Sequence, residues 1–381
     1  MGKKVVFVVN AEWFLVSHHL SLALALQDAG YEVTLAAAIE RNTMSAITAT
    51  GLPFIELKKM TRGSMNPVGQ LVSILELYRI YRRERPDIAH HVTIKPVLYG
   101  SLAAMLAGIE SIVNWIPGLG LWFVGRTLKV KVVRFFLRQA YRLAFLRKST
   151  IVIFENEENR QLFIDSKTVR PEQANVVFGS GANHEFFTPT DDPDGIPVVG
   201  LAGRLLENKG VRTLVEASRL LKQRGIQFRA VLIGIPDDKN PDSIPEDLLR
   251  EWEREGVIEW WGLQDNMIEV FKKLNIFTLP STYGEGIPKA LVEAALCEKP
   301  LITTDIPGCR EIVCDEENGF VVPIRDSEGL AHALEELITN PKLRVEMGKR
   351  GREIALTKFT EKRSRERLQE IYSHIRSSFN Q

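Results

Sequence analysis

Cysteine is scarce in this chain of 381 residues: Cys297, Cys309 and Cys314 are the whole set. An odd count without zinc-type spacing excludes a disulfide framework and a cysteine-based zinc centre, and points to buried or incidental thiols in a reducing cytosol. Long apolar runs are missing too. Only five apolar residues separate the N-terminal lysines from Asn10, too few for the core of a secretion signal, so the segment reads as a first strand. Across residues 96–125 Glu110 is the one charged residue, but Pro117, Gly118 and Gly120 divide the stretch into runs shorter than a membrane span needs. It reads as a buried helix followed by a buried strand and loop. Net charge is nearly absent: 49 Lys and Arg against 48 Asp and Glu give +1, no global field of the kind that gathers nucleic acid. What remains is ordinary for a globular protein, 45% hydrophobic and 25% charged, with a length that suits two domains, each able to bury a core.

Short apolar runs alternate with helical stretches almost throughout. In the first half KKVVFVV, YEVTLAAA, PFIEL, DIAHHVT, SIVNW, TIVIF and NVVFG read as strands. Between them lie helical segments at residues 19–29, 67–84 and 157–165 and a long basic helix after residue 125. The stretch TPTDDPDGIP, with three prolines, three aspartates and a glycine, cannot continue a core element and reads as a linker at 188–197. The alternation then resumes with PVVGLAG, FRAVLIG, VIEWWG, NIFTLP, PLITTD and GFVVP, and the chain ends in charged helices from Ser327. This is the pattern of α/β domains with parallel sheets built from βαβ units. The expected plan is a doubly wound domain over 1–187, the linker 188–197 and a second doubly wound domain over 198–359, facing each other across a cleft. Parallel sheets bind ligands beyond the carboxyl ends of their strands. That rule singles out residues 10–13, 90–95, 117–120, 204–209, 234–238 and 281–288.

The sharpest of these is LPSTYGEGIPKALVEAAL, where an apolar strand runs into a loop and a helix opens close to Pro288. A helix start offers amide groups and a positive dipole end to a phosphate or sugar oxygen, and Gly284 and Gly286 let backbone approach a ligand closely. Glu293 has only apolar neighbours in sequence, and a carboxylate so placed needs a partner such as the two hydroxyls of a ribose. In VVGLAGRLLENKG, Arg204 and Lys209 stand at a strand's carboxyl end, where two cations neutralise a leaving diphosphate.

EGIPKALVE resembles the E-x7-E motif of the retaining glycosyltransferases of family 4, whose fold is GT-B, two Rossmann-like domains. That resemblance implies that Glu285 lies by the donor sugar and Glu293 on the nucleotide ribose, with Gly286, Ile287 and Pro288 on the donor. It also implies that the segment from Arg204 to Lys209 binds the donor diphosphate, with Arg204, Lys209 and Glu285 serving catalysis. WWGLQDNMIEVFKKLNIFTLPS resembles the family's loop near the nucleotide base, with Gly262 and Asp265 at matching positions. Stabilisation of the diphosphate by these cations takes the place of a metal, so no metal or other cofactor is expected.

On the acceptor side HHLSLALALQDAGYEV resembles the family's first helix, with His19 near its start, and DIAHHVTIKPVLYGSLAA places Lys95 at a matching lysine. His90 and His91 are neighbours in a strand, point to opposite faces and read as structural. TRGSMNP, PGLG, FENEENRQLF and GSGAN are similar to a narrower group, bacterial N-acetylgalactosaminyltransferases acting on undecaprenyl-diphosphate-linked sugars. Asn10, His19, Arg62, Lys95 and Arg126 are therefore the acceptor-binding candidates.

An independent feature points the same way. Residues 111–150 hold eight basic residues and no acidic one, which leaves the rest of the chain at a net −7. Lys131, Arg134, Arg138 and Arg142 repeat at helical spacing amid Trp122, Phe123, Phe135, Phe136 and Phe145. A basic, aromatic-rich amphipathic helix suits the surface of an anionic bilayer. The sequence reads as a UDP-sugar-dependent, retaining hexosyltransferase, cytoplasmic and peripheral on the inner face of the plasma membrane. It would move an N-acetylhexosamine such as N-acetylgalactosamine to a lipid-linked sugar, with no nucleic acid among its partners. A nucleotide-sugar epimerase on the same fold and a non-catalytic membrane-docking subunit are the competing readings.

Overall fold

The computed structural model describes residues 2–41, 43–60, 67–119, 128–237 and 239–378. The chain forms two compact units, residues 1–181 with 361–381, and residues 182–360. Each is built on one fully parallel sheet.

The strands of the first unit are β1 (Lys4–Val8), β2 (Glu32–Ala37), β3 (Phe54–Glu56), β4 (Ile88–Val92), β5 (Ser111–Ile116), β6 (Thr150–Phe154) and β7 (Ala174–Val176). They lie in the order β3-β2-β1-β4-β5-β6-β7. The chain thus reverses direction across the sheet between β1 and β4, the position at which doubly wound sheets open a crevice. Central strands covered on both faces are mostly apolar, and β4 and β5 are buried from end to end, their few polar side chains hydrogen-bonded inside. One face packs on helix Leu20–Asp28 and the C-terminal helix Glu361–Ser378, through Leu22, Leu26, Leu368, Ile371 and Tyr372. The other packs on helices Pro67–Glu84, Ser101–Ala107 and Leu128–Ala144. The C-terminal helix is tied down by polar contacts as well: Tyr31 Oη donates to the Tyr372 carbonyl at 3.1 Å and Gln369 Nε2 to that of Ala25 at 2.8 Å.

The second unit has β8 (Val198–Ala202), β9 (Arg229–Ile233), β10 (Glu259–Gly262), β11 (Ile276–Leu279), β12 (Leu301–Thr304) and β13 (Gly319–Val322). Their order is β10-β9-β8-β11-β12-β13, with the reversal between β8 and β11. Helices Val211–Gln223, Glu246–Arg254 and Ser327–Thr339 contribute Leu214, Leu221, Trp252, Leu334 and Leu337 to its largest core.

Some boundaries differ from the sequence reading. The first helix begins earlier than residue 19: helical residues Glu12–Phe14 lead into a π-helical turn, Leu15–His19. Helices Met44–Thr48 and Glu246–Arg254 give too short a periodic signal to stand out. The junction lies at 181/182, where Ala182 N donates to Phe359 O at 3.0 Å. The stretch 188–197 is accordingly a strap on the second unit, held because its acids meet buried donors. Arg344 donates to Asp192 at 2.7 Å, Asn275 Nδ2 to Asp192 at 2.6 Å, and Lys299 Nζ to the Asp191 carbonyl at 2.8 Å.

Candidate functional site

The carboxyl ends of β8, β9 and β11 gather four charged side chains. β8 runs out at Ala202 and delivers Arg204, whose Nη1 meets Asp237 Oδ2 at 3.0 Å in the loop after β9. Lys209 closes the short 3-10 turn Glu207–Lys209, and its Nζ lies 2.5 Å from Glu285 Oε1 in the loop after β11. The approach depends on Gly210. Its φ of 79° is left-handed, and a Cβ there would stand 2.0 Å from the Pro280 carbonyl oxygen, so only glycine lets the two loops touch. Ser281 Oγ adds a 2.9 Å hydrogen bond to the same Glu285 oxygen.

Both members of the Lys209–Glu285 pair are largely buried, with side chains 16% and 9% exposed. Burial works to lower the Lys209 pKa, but the Glu285 carboxylate opposite outweighs it and the ammonium is held charged. Tyr283, whose ring lies 5.5 Å from Lys209 Nζ, has its phenol raised by burial and then by the Glu285 charge. A buried ion pair of this kind keeps two charges ready in a dry place without leaving either bare.

Gly286 is locked from behind by Gly308, where a Cβ would fall 1.3 Å from the Gly286 carbonyl oxygen. Ile287 is buried, and Pro288 is the N-cap of helix Lys289–Leu296 rather than a residue of its first turn. One turn in, Glu293 is 14% exposed and its cation, Lys289, stands 4.0 Å away. Burial pushes its carboxyl up to about 7, with Lys289 opposing. The burial agrees with its apolar neighbours in sequence. Gly262 ends β10 in a left-handed conformation, and its carbonyl accepts the Gly234 N–H at 2.8 Å. Asp265 is exposed, and Asn266 is the residue at the following helix N-cap. The triplet Asp192-Pro193-Asp194 has Asp-x-Asp spacing, but the Asp192 carboxylate is taken up by Arg344 and Asn275. Cys297 and Cys309 are buried free thiols, both pushed up to about 12 by burial.

In the first unit Asn10 follows β1 and is half-buried. His19 is 1% exposed, enclosed by Trp115 at 5.1 Å, Phe14 at 5.6 Å and Phe7 at 6.0 Å. The structure thus places it in the core, at the end of the π-helical turn. Lys95 opens the helical run Pro96–Gly100, half-buried, its pKa lowered by burial. Arg62 and Arg126 lie outside the described residues, as do most of TRGSMNP and the last residue of PGLG. His90 and His91 do point to opposite faces: His90 Nδ1 meets Tyr372 Oη at 2.7 Å, and His91 is held between Asn114 Oδ1 at 2.9 Å and Tyr81 Oη at 2.7 Å. Burial lowers His91 to about 4 and His90 well below the usual range, so both are neutral structural groups. The sequence reading missed Asp237, Ser281 and Tyr283, although the strand-end rule covered all three positions. It also missed Glu155, a buried acid at the end of β6 that accepts from Trp115 Nε1 at 2.9 Å.

Helix Leu128–Ala144 presents three faces. Tyr141 and Ala144 pack inward. Lys131, Arg134 and Arg138 form a basic flank, while Leu128, Val132, Phe135, Phe136 and Leu143 form an exposed apolar ridge, with the two phenylalanines 58% and 66% exposed. Arg142 departs from the basic stripe: its guanidinium donates to the carbonyls of Ser166 at 2.7 Å and Lys167 at 3.1 Å, because the end of helix Glu157–Asp165 attracts a cation. No helix among the described residues is long and apolar enough to cross a membrane.

Comparison with known proteins covers nearly the whole chain. Residues 183–354 match the family model described as Glycosyl transferases group 1, and residues 4–156 match Glycosyl transferase 4-like. The chain is 25% identical to the N,N'-diacetylbacillosaminyl-diphospho-undecaprenol alpha-1,3-N-acetylgalactosaminyltransferase of Campylobacter jejuni, over 97% of this chain and 98% of that protein. It is 22% identical to the UDP-Gal:alpha-D-GlcNAc-diphosphoundecaprenol alpha-1,3-galactosyltransferase of Escherichia coli, over 80% of each. Among solved structures, HepE of Anabaena in complex with UDP-glucose superposes with a TM-score of 0.76 at 18% identity, over 98% of this chain and 100% of that one. Sucrose-phosphate synthase of Thermosynechococcus elongatus superposes at 0.79 and 18%, over 99% and 100%. These likenesses identify the fold as GT-B.

Proposed function

The chain belongs to the GT-B glycosyltransferases, with a 4-like first half and a group 1 second half, and we propose that it transfers an N-acetylhexosamine, with N-acetylgalactosamine the first candidate, from UDP to a sugar carried on a polyprenyl diphosphate. The reading places it in bacterial glycan assembly, such as O-antigen, capsule or protein glycosylation. The observation that carries it is the cluster at the ends of β8 and β11: Lys209 paired to Glu285, with Arg204 alongside and Glu293 one helix turn on.

In this reading Glu293 takes the ribose hydroxyls, whose donors satisfy its buried oxygens. Arg204, Lys209 and the helix start at Gly286, Ile287 and Pro288 stabilise the charge that develops on the diphosphate. Glu285 lies against the donor sugar. The bond from C1 to the phosphate oxygen breaks, the acceptor oxygen bonds to C1 on the same face, and the departing phosphate oxygen takes the acceptor proton. Configuration is retained, and these residues do the work assigned to a metal in other glycosyltransferases.

The helix Leu128–Ala144 is the membrane contact of this reading. Its apolar ridge of Leu128, Val132, Phe135, Phe136 and Leu143 enters the headgroup boundary of the inner leaflet, while Lys131, Arg134 and Arg138 meet anionic lipid, each worth about 1 kcal/mol. The enzyme is thereby peripheral on the inner face of the plasma membrane, beside its lipid-linked acceptor.

The test is incubation of the protein with UDP-sugars and undecaprenyl-diphosphate-linked sugars. UDP release that requires acceptor, with an axial product linkage from an axial donor, supports the reading. Acceptor-independent isomerisation of the UDP-sugar overturns it in favour of an epimerase, and no turnover with any pair favours a docking subunit.

A further inference from the structure

The aromatic turn after β1 lies apart from the donor cluster, with Phe14 packed on the core and Trp13 at its margin. Its foundation is Glu12, a carboxylate with no exposed surface. The two oxygens accept the backbone N–H groups of Glu40 at 2.7 Å and Arg41 at 2.5 Å, while Glu12 N donates to the Ala38 carbonyl at 2.9 Å. A buried carboxylate needs its lone pairs used. Here they fix the loop after β2 against the turn after β1.

That bracket sets three side chains beside one another. Trp13 Nε1 donates to Glu40 Oε2 at 3.3 Å, and the Arg41 guanidinium carbon lies 4.8 Å from the Trp13 ring centre. Phe14 stands edge-on to Trp13 at 5.8 Å and holds it from the side. The indole is thus oriented from two directions, yet Trp13 and Glu40 remain partly exposed and Arg41 is exposed. An indole serving only to fill space would be covered, and a loop serving only to close the sheet has no need of an acid and a guanidinium against it.

A part-exposed indole with a carboxylate acceptor at its N–H edge and a guanidinium donor over one face is the chemistry that recognises a pyranose. The C–H face of the sugar covers the ring, and its hydroxyls donate to the acid and accept from the guanidinium. The position agrees, since β1 and β2 both end here, on the ligand-binding side of the sheet. We propose that Trp13, Glu40 and Arg41 form a subsite for a sugar ring of the acceptor. The inference rests on the glycosyl-transfer reading above and names where that acceptor's saccharide is held.

The test compares two probes in phosphatidylglycerol vesicles, undecaprenyl-diphosphate-linked N-acetylglucosamine and undecaprenyl diphosphate without sugar. The wild type is expected to bind the sugar-bearing lipid about tenfold more tightly, and Trp13→Ala to lose that advantage while binding the bare lipid and UDP as before. Glu40→Gln, which alters no packing, is expected to lose several-fold of it and guards against a folding defect in the first variant. Trp13→Phe keeps part of the stacking and should keep part of the advantage. An advantage that survives in both Trp13→Ala and Glu40→Gln overturns the subsite, as does its absence from the wild type. Acceptor-dependent UDP release is measured in parallel. Release together with a surviving advantage sinks the subsite and leaves the transfer reading standing, whereas no release with any acceptor strikes the transfer reading itself.

Discussion

The two sheets share one winding plan, yet the polar groups near their reversal points differ in kind. In the second unit they are charges set against charges, Arg204 with Asp237 and Lys209 with Glu285. In the first, the groups within the strands are neutral rings and amides, His90 and His91 with Tyr372, Tyr81 and Asn114, and charge stands in the loops beyond β1 and β2 with Glu12, Glu40 and Arg41. The cause is where the residues sit. The charged set lies in loops beyond β8, β9 and β11, where part of each pair keeps contact with water. His90, His91 and Asn114 lie inside β4 and β5, which are buried throughout, so burial drives the histidines neutral. Balanced charge suits an anionic ligand that comes and goes, and a neutral network suits a fixed scaffold.

The largest effect that can break this contrast is on the charged side. Glu285→Ala is expected to lower transfer by about 10³-fold while UDP affinity stays within a few-fold. Isothermal titration with UDP checks it, and loss of UDP binding as well would contradict the sugar-side role. A melting curve belongs with it, since Lys209 loses its buried partner. Next comes helix Leu128–Ala144, whose ridge and flank offer a comparison of their own. Phe135→Ser with Phe136→Ser should weaken binding to anionic vesicles by about 10- to 100-fold, independent of salt. Glutamine at Lys131, Arg134 and Arg138 should weaken it less, and only at low ionic strength. A larger, salt-dependent loss from the basic variant would reverse the order of importance.

A smaller effect sharpens the comparison through pH. Glu293→Gln is expected to weaken UDP binding about tenfold at pH 8 and less at pH 6, because the wild-type carboxyl, held at about 7, is mostly neutral at the lower pH. Its folded pKa lies above its unfolded value, so the folded chain binds the extra proton and loses stability as pH rises from the usual carboxylate range to about 7. Glu293→Gln should therefore raise the melting temperature at pH 8 and leave it unchanged near pH 4. No such pH effect would mean that the acid is solvated. The smallest functional effect is expected on the neutral side. His91→Phe should cost about 1–3 kcal/mol of stability as Tyr81 and Asn114 lose their partner, with the pH profile of transfer unaltered. A shifted profile would bring the neutral network into the chemistry.

Legibility followed the strength of local signals. The strands were plain because buried parallel strands are mostly apolar runs, as in VVFV, VVGLA and IFTL. Pro67–Glu84 was plain because a long helix repeats its pattern. Glu12–Phe14 and Met44–Thr48 span about a turn and repeat nothing. At the site, Arg204, Lys209 and Glu293 could be reached from strand ends and apolar neighbours. Asp237 and Ser281 lay within the strand-end stretches but carried no signal of their own, and the meaning of the Trp13–Glu40–Arg41 group lies in partners distant in sequence.

The order of residues by itself determined the two parallel-sheet units, the strand ends where ligand chemistry belongs and the basic character of the helix after residue 125, because each is written in local periodicity and local charge. Tertiary structure decided which charges meet. It brought Lys209 to Glu285 across 76 positions through the close approach at Gly210, turned His19 into the core, drew Arg142 onto a helix end and left Phe135 and Phe136 facing outward. Those outcomes depend on packing between elements far apart along the chain, and no local pattern encodes them.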